Sequence, residues 1–287
     1  MKIVTDSGAD LSFTECQELG VTMLPLKVEV DGRSYQSGVD ITPEAFYDLM
    51  DKADSMPKTS TPSLGEFVDA YKRLAQEDPD ILSIHISSGL SGTYHTAVQA
   101  AADVPEANIA LVDTLTLSAG TGWQVRAAVD LARKGLSKQE ILIKLRQIQD
   151  ATTTYFTLPD LKYLIAGGRI SHLKGLLASL LGILPVIQVS NEDGKYYDKV
   201  KKRSFMRAIE AIPQLIKNKH PEGTELQTQI CSAADPVSAA RLKEAMDKVF
   251  KCDWLPVVSL GTALGAHTGR GLIGIIVAAK KDLPVTA

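Results

Sequence analysis

Apolar positions in the first half of the chain follow two alternating patterns. Short β-branched runs predict buried strands at 3–5, 81–86 and 109–112. Longer segments with apolar residues at every third or fourth position predict helices at 11–18, 64–76, 94–101, 118–133 and 138–150. Strands and helices alternate through short connections, which is typical of a mostly parallel sheet with helices on both faces.

Local signals support several of these elements. Ser63 and Ser137 each precede a glutamate by three residues, which is the spacing of a capping box at a helix start. Asp31-Gly32 separates two short alternating runs and predicts a tight hairpin turn, because this pair readily adopts positive φ angles.

The second half of the chain, after about Asp150, has a different order of elements. Strands are predicted at 152–156, 184–190, 196–200, 226–231, 254–260 and 273–279. Helices are predicted at 159–165, 172–181, 204–218 and 236–250. We therefore expect an α/β protein of two domains, 1–150 with the mostly parallel sheet and 151–287 with a two-layer α/β arrangement.

Three predicted strand exits, at 5–10, 87–93 and 113–118, are short loops rich in hydroxyl groups. Ligands of parallel sheets bind beyond the carboxyl ends of the strands, so the three loops together predict one site. The central loop, Ser87 to Thr93, contains no lysine or arginine. An anion bound there would be held by hydroxyls, by loop amides and by the unpaired N–H groups that open the next helix.

Composition narrows the possible functions. The chain has 287 residues and a net charge of −3, and its one basic cluster, 199–203, is interrupted by a valine, so nucleic acid binding is not expected. Three widely spaced cysteines without a CxxC motif fit a reducing cytosol. We expect a cytoplasmic protein, because the sequence shows no signal-peptide pattern and no uncharged run long enough to span a membrane.

The central loop also allows a second interpretation, a serine hydrolase. Ser91, Asp113 and His267 occur in the order that α/β-hydrolases use, and the loop contains Gly-x-Ser-Gly, part of a nucleophile elbow. Thr93 stands where the complete elbow requires glycine, which weakens this alternative.

Other polar residues leave alternatives open. Asp6 and Asp113 could form a carboxylate pair, although capping of the strand-exit loops is the favoured interpretation. His267 lies in the glycine-rich segment 261–271, where a turn residue and a functional residue are equally good interpretations. The five histidines lack metal-binding spacing, so metal catalysis is not expected.

Six segments, in this order, make the chain resemble the DegV family, bacterial fatty-acid-binding proteins that include the binding subunit of fatty acid kinase. The segments are Thr5 to Ser7, Lys58 to Ser63, Ser88 to Tyr94, Val112 to Thr114, Gly167 to Ser171 and His267 to Gly269. The resemblance covers nearly the whole chain. It implies two α/β domains that enclose one fatty acid between them.

The resemblance also implies a binding site. In the family, a threonine of the TSxPS motif and a serine of the SGLSGT motif bind the carboxylate with help from loop amides, and they match Thr59 and Ser91. The arginine of GGR and the histidine of HxG lie near the head group. The expected fatty-acid-binding residues are Thr59, Ser91, Gly92, Ser118, Arg169 and His267.

Two further features concern the tail and the turn after His267. The apolar segment 176–184 is a good local source of lining for an acyl tail and is equally well explained as core. Arg270 replaces the proline of the family's usual HxGPG motif, which changes that turn and the surface beside it.

We therefore expect a non-catalytic lipid carrier whose one ligand is a fatty acid and which needs no other cofactor. Each buried methylene contributes about 0.8 kcal/mol, so a sixteen-carbon tail gains on the order of 10 kcal/mol gross. Hydrogen bonds to a carboxylate contribute about 1.5–3 kcal/mol each, so they orient the ligand while the tail sets affinity. The resemblance implies one partner protein, an ATP-dependent fatty acid kinase.

Overall fold

The computed structural model describes residues 1–172 and 182–284, which contain fourteen strands and ten α-helices. The strands are β1 (Lys2–Asp6), β2 (Val21–Leu24), β3 (Lys27–Val30), β4 (Arg33–Gln36), β5 (Lys58–Ser60), β6 (Asp80–His85), β7 (Asn108–Asp113), β8 (Thr153–Thr157), β9 (Leu184–Val189), β10 (Tyr196–Lys202), β11 (Glu225–Ser232), β12 (Lys251–Trp254), β13 (Val258–Ser259) and β14 (Ile273–Ala279). The helices are α1 (Phe13–Leu19), α2 (Pro43–Met50), α3 (Leu64–Ala75), α4 (Thr93–Ala102), α5 (Ala119–Arg133), α6 (Lys138–Ala151), α7 (Lys162–Ala166), α8 (Phe205–Lys217), α9 (Pro236–Asp247) and α10 (Thr262–Thr268).

The first sheet consists of four parallel strands in the order β2-β1-β6-β7. Successive residues of a strand point to opposite faces of a sheet. Ile3 of β1 packs in a cluster with residues of α5 and α6, whereas Val4 packs with residues of α3 and α4. The sheet therefore has helices on both faces, and the exits of β1, β6 and β7 lie side by side at one end of it.

Capping boxes begin two of these helices, α3 and α6. The Ser63 and Ser137 side chains accept hydrogen bonds from the amides of Glu66 and Glu140, and each glutamate carboxylate accepts one from the serine amide in return. These bonds satisfy N–H groups that have no partner within the helix, which is why the helices start at these residues.

The second sheet is mixed and has seven strands. Its order is β10-β9-β8-β14-β11-β12, with β13 also paired to β11. Tyr155 and Ile275 point to the face covered by α8 and α9. Phe156 and Ile276 point to the opposite face, where they pack in the same cluster as Trp123 of α5. The two sheets thus belong to two α/β domains that share a core, with all strands of the first sheet before residue 114 and all strands of the second after residue 152.

A small antiparallel sheet, in the order β4-β3-β5, completes the fold. Val28 of this sheet, Phe46 of α2 and Leu264 of α10 are buried in the shared core. Strand β5 and helix α10 therefore meet at this core, although some 200 residues separate them in the sequence. In the described residues no helix is both long and apolar enough to cross a bilayer.

Three sequence predictions differ from the described elements. Residues 58–60, for which no strand is predicted, form β5 by pairing with β3. The predicted strand 254–260 is wrong, because β12 ends at Trp254 and only Val258–Ser259 resume pairing; Pro256 between them has no N–H to donate. The segment 261–271, predicted as turns, contains α10. The predicted helix 172–181 falls, apart from its first residue, outside the described residues.

Candidate functional site

The three hydroxyl-rich exit loops of the first sheet are hydrogen-bonded to one another. The Ser87 amide donates to the Thr116 carbonyl at 2.9 Å, and the Ser118 amide donates to the Gly8 carbonyl at 2.7 Å. The Ser88 amide donates to the Asp113 carboxylate at 3.1 Å. The loops therefore form one continuous surface.

A narrow pocket, here called the slot, lies in the shared core beside these loops and has a free volume of about 50 Å³. By the same measure one water molecule needs roughly 10–15 Å³. Most of the lining is apolar: Leu26, Ile86, Leu90, Leu117, Phe156, Tyr196, Leu260, Ala263, Leu264, Leu272 and Ile276. Five of the six predicted binding residues also line it, namely Thr59, Ser91, Ser118, Arg169 and His267. Gly92 is absent from the lining but directly follows Ser91.

Thr59 and His267 form a direct polar contact in the slot. The Thr59 hydroxyl lies 2.7 Å from His267 Nε2. The other ring nitrogen, Nδ1, is buried and has no hydrogen-bond partner among the described residues. Burial, together with the nearby Arg169 charge, lowers the pKa of His267 to about 4, so the imidazole is neutral near pH 7.

Gly167 allows the imidazole to take this position. A Cβ atom at Gly167 would lie 2.1 Å from His267 Nδ1, so any side chain there would collide with the ring. Arg169 anchors the same segment, since its guanidinium donates to the Gly167 carbonyl at 2.7 Å and to the Leu90 carbonyl at 3.3 Å. The second bond joins Arg169 to the loop that carries Ser91.

Ser91 stands at the start of helix α4. Its hydroxyl lies 2.9 Å from the Thr93 hydroxyl and accepts a bond from the Thr93 amide at 3.3 Å. The residue before the helix, Gly92, has no side chain with which to cap it. The first N–H groups of α4 and its helix dipole therefore favour a negative charge near Ser91. Thr59, Ser91, Arg169 and His267 are called the head cluster below.

Ser118 belongs to a separate polar group. Its hydroxyl donates to the Asp10 carboxylate at 2.5 Å and lies 3.1 Å from Cys231 Sγ. Asp10 also accepts from the Gly261 amide at 3.0 Å, and burial raises its pKa to about 7. Gly261 precedes α10 and His267 lies six residues later, a rise of about 9 Å, so the two groups contact opposite ends of this helix. Asp10 was not predicted as a site residue, and its place in the first exit loop was the one sequence signal that could have pointed to it.

The hydrolase triad suggested by the sequence is not assembled. The Asp113 carboxylate accepts bonds from the amides of Ser88 and Leu115, as the loop-capping interpretation predicts. His267 is bonded to Thr59, and Ser91 to Thr93, so neither serine to histidine nor histidine to aspartate contact exists among these three residues.

A different serine, histidine and aspartate do form a hydrogen-bonded chain inside the first domain. Ser83 Oγ lies 2.7 Å from His85 Nε2, and His85 Nδ1 lies 2.9 Å from the Asp6 carboxylate. The Tyr71 hydroxyl extends the chain at 2.8 Å from Ser83 Oγ. All four side chains are fully buried, so His85 is a satisfied core residue.

Two further predictions concern the surroundings of the slot. Arg270, which stands where the family usually has proline, pairs with Asp48 of α2 at 2.7 Å and with Asp51, directly after α2, at 2.8 Å. The proposed tail lining 176–184 lies outside the described residues except for 182–184. In the described part of the chain, no cluster of three or more histidine, cysteine, aspartate or glutamate side chains is placed to bind a metal ion.

Comparisons with known proteins all find members of one family. The family model described as "Uncharacterised protein, DegV family" matches residues 1–280. A DegV domain-containing protein of Staphylococcus aureus (strain MRSA252) is 34% identical over 278 residues, covering 97% of this chain and 98% of that protein. The solved structure of a DegV family protein from Thermus thermophilus, described by its fatty acid binding, is 30% identical with a TM-score of 0.87, covering 97% of this chain and 99% of its own. DegV from Bacillus subtilis, described as a fatty acid binding protein, is 27% identical with a TM-score of 0.87 and the same coverage.

Proposed function

The chain belongs to the DegV family, and from this premise we propose that it binds a long-chain fatty acid in the slot, with the carboxylate in the head cluster. The observation that carries the proposal is the composition of the slot. Neutral hydroxyls, a neutral imidazole and one guanidinium meet at one place, and most of the remaining lining is apolar. A molecule with one acidic end and a long hydrocarbon tail matches this distribution.

The tail supplies most of the binding free energy in this proposal. A sixteen-carbon chain gains on the order of 10 kcal/mol gross when it leaves water. Hydrogen bonds from Thr59 and Ser91 contribute about 1.5–3 kcal/mol each to a charged acceptor. The hydroxyls therefore fix which end of the ligand lies at the head cluster, and they do so without the desolvation cost of a buried lysine.

Binding requires the slot to widen. Pockets that hold drug-sized ligands usually measure roughly 300–1,000 Å³, well above the free volume of about 50 Å³ here. Leucine side chains supply much of the lining and can change rotamer at modest cost. We expect the fatty acid to separate these side chains, and therefore to raise the thermal stability of the protein by mass action.

Exposure along the slot supports an outward-facing carboxylate. Gly92 beside Ser91 is exposed, and Arg169 is partly exposed, whereas Phe156 and Ile276 are buried. We propose that a partner protein, an ATP-dependent fatty acid kinase, reaches the carboxylate at this end. The carboxylate oxygen would attack the γ-phosphorus of ATP and release ADP, leaving an acyl phosphate. In this proposal the present chain is the non-catalytic carrier.

The two domains divide this work in the proposal. Residues 1–150 carry Thr59 and Ser91, and residues 151–287 help to enclose the acyl chain. Arg169 and His267 come from the second part, so the carboxylate site would require both.

Denaturing extraction followed by mass spectrometry tests fatty acid binding directly. We expect about one fatty acid per chain from purified protein, and a Kd for added palmitic acid that rises in Thr59→Val. A lipid-free protein that also fails to bind added palmitic acid would contradict the proposal. A fluorophosphonate probe tests the hydrolase alternative, and labelling of Ser91 in lipid-free protein would favour it.

Trapping with hydroxylamine tests the carrier function. Hydroxylamine converts an acyl phosphate to a hydroxamate, which we expect only when loaded protein, ATP and the partner kinase are all present. Hydroxamate formed from ATP and this chain alone would show that the chain is itself an enzyme.

A further inference from the structure

The Ser87 side chain connects the central loop to the second sheet. Its hydroxyl donates to the Gly194 carbonyl at 3.0 Å and accepts from the Gly89 amide at 3.1 Å. Ser87 is fully buried, and Gly194 lies in the turn that joins β9 to β10. One hydroxyl therefore bridges two segments that are 107 residues apart.

The loop and the turn pack backbone against backbone at this contact. A Cβ atom at Gly89 would lie 2.4 Å from the Asp193 carbonyl oxygen, and one at Gly194 would lie 1.8 Å from Ser87 Oγ. Gly194 also has a φ of +65°, which glycine adopts at no steric cost. Both glycines are thus required for the two backbones to approach so closely.

The turn is itself held in place from the other side. The Asn191 side-chain amide donates to the Gln149 carbonyl at 2.8 Å and to the Thr152 carbonyl at 2.6 Å. The Gly194 amide closes the turn by donating to the Ser190 carbonyl at 2.8 Å. The turn can therefore act as a fixed support for the central loop.

The position of Ser91 follows from that of Ser87. The amides of Leu90 and Ser91 both donate to the Ser87 carbonyl, at 3.1 and 3.0 Å. These bonds make a single tight turn between the two serines, so a shift of Ser87 would move Ser91 with it.

We propose that Ser87 is a positioning residue for the ligand carboxylate, holding the central loop against the 190–195 turn so that Ser91 faces the slot. The inference rests on the proposed function and extends it, since Ser87 itself does not line the slot. In this inference the 190–195 turn of the second domain positions the central loop of the first domain.

Binding of two ligands with the same tail tests this inference. Palmitic acid and 1-hexadecanol share the sixteen-carbon chain, and only the acid presents a carboxylate. In Ser87→Ala we expect the Kd for palmitic acid to rise about tenfold and the Kd for hexadecanol to change less than about twofold. Ser88→Ala is the matched control, because the Ser88 hydroxyl makes no hydrogen bond to any described residue, and neither Kd should change.

A second variant covers the case in which Ser87→Ala does not fold. Asn191→Ala removes the two hydrogen bonds that hold the supporting turn in place. The Kd for palmitic acid should then rise about threefold, with a smaller change in the Kd for hexadecanol. Equal losses for acid and alcohol, or no loss for the acid in either variant, would overturn the inference. Wild-type protein that binds neither ligand would overturn the proposed function together with it, so the two failures can be told apart.

Discussion

The hydroxyl of Thr59 and the imidazole of His267 lie 2.7 Å apart and join β5 of the small sheet to α10. The ring is neutral near pH 7, because burial and the Arg169 charge lower the pKa of His267 to about 4. The contact therefore presents neutral polar groups to the slot, whereas Nδ1 of His267 is buried against Gly167 and has no hydrogen-bond partner among the described residues.

Removal of the Thr59 hydroxyl should weaken binding of the acid selectively. Thr59→Val keeps the shape of the side chain and removes a donor worth about 1.5–3 kcal/mol to a carboxylate, so the Kd for palmitic acid should rise about 10- to 100-fold. Isothermal titration or displacement of a fluorescent fatty acid measures this. Ser60→Ala is the control, because Ser60 is exposed and points to the opposite face of β5. Equal affinities for wild type and Thr59→Val would exclude Thr59 from the carboxylate site.

Stability should depend on pH through His267. An unfolded histidine has a pKa near 6.5, so between about pH 6.5 and 4 the unfolded chain binds a proton that the folded chain does not. Wild-type protein should therefore lose stability relative to His267→Gln as pH falls through this range, by on the order of 3 kcal/mol in total.

Urea unfolding of both proteins at several pH values measures this difference. The comparison isolates His267, because Asp10, whose pKa burial raises to about 7, is present in both proteins. A difference in unfolding free energy that stays constant from pH 6.5 to 4 would count against the buried, neutral imidazole.

Gly167→Ala should displace the imidazole without disturbing the backbone. The φ angle of Gly167 is −77°, which alanine adopts readily, so the effect comes from the added methyl group, 2.1 Å from Nδ1. We expect a loss of the Thr59 contact and a roughly 3- to 10-fold weaker affinity for palmitic acid. Gly65→Ala in α3 is the control, since nothing lies within 4 Å of its added Cβ and helix propensity favours it. Unchanged affinity in Gly167→Ala would mean that the ring position does not affect binding.

Asp6→Ala should be strongly destabilising. The Asp6 carboxylate accepts bonds from the amides of Gly8 and Ile86 and from His85, all buried, and alanine would leave these donors without partners. We expect a loss of about 3–5 kcal/mol in the free energy of unfolding, measured with urea. Asp130→Ala removes an exposed i,i+4 pair with Lys134 and should cost less than about 1 kcal/mol. A similar small cost for Asp6→Ala would show that the buried bonds contribute little.

The parallel sheet and its convergent loops could be predicted from the sequence because each rests on local patterns. β-Branched runs, capping boxes and hydroxyl-rich exits are short-range signals, and they placed Ser91 at the start of a helix. The motifs also singled out Thr59 as a candidate, but not the strand it belongs to. Residues 58–60 become β5 only through their pairing with β3, which no local pattern encodes.

Helix α10 was missed because its glycines resemble turn signals. Gly261, Gly265 and Gly269 recur at every fourth position, before, within and after α10, and all three allow close packing in the structure: a Cβ atom at Gly261 would lie 2.4 Å from the Asp10 carboxylate. A Cβ atom at Gly265 would lie 2.7 Å from the Tyr47 hydroxyl, and one at Gly269 would lie 2.4 Å from Tyr163. Tertiary packing outweighs the low helix propensity of Gly265, the one glycine inside α10, so the position of His267 on a helix could not be read from the sequence alone.

The buried hydrogen-bonded chain of Ser83, His85 and Asp6 affects how hydrolases can be recognised from structure. Its contacts follow the same order as a catalytic triad, serine to Nε2 and Nδ1 to carboxylate. A template built only from those interatomic separations would select this chain as an esterase. No substrate could reach the serine, so a useful template must also require an open path from solvent to the nucleophile.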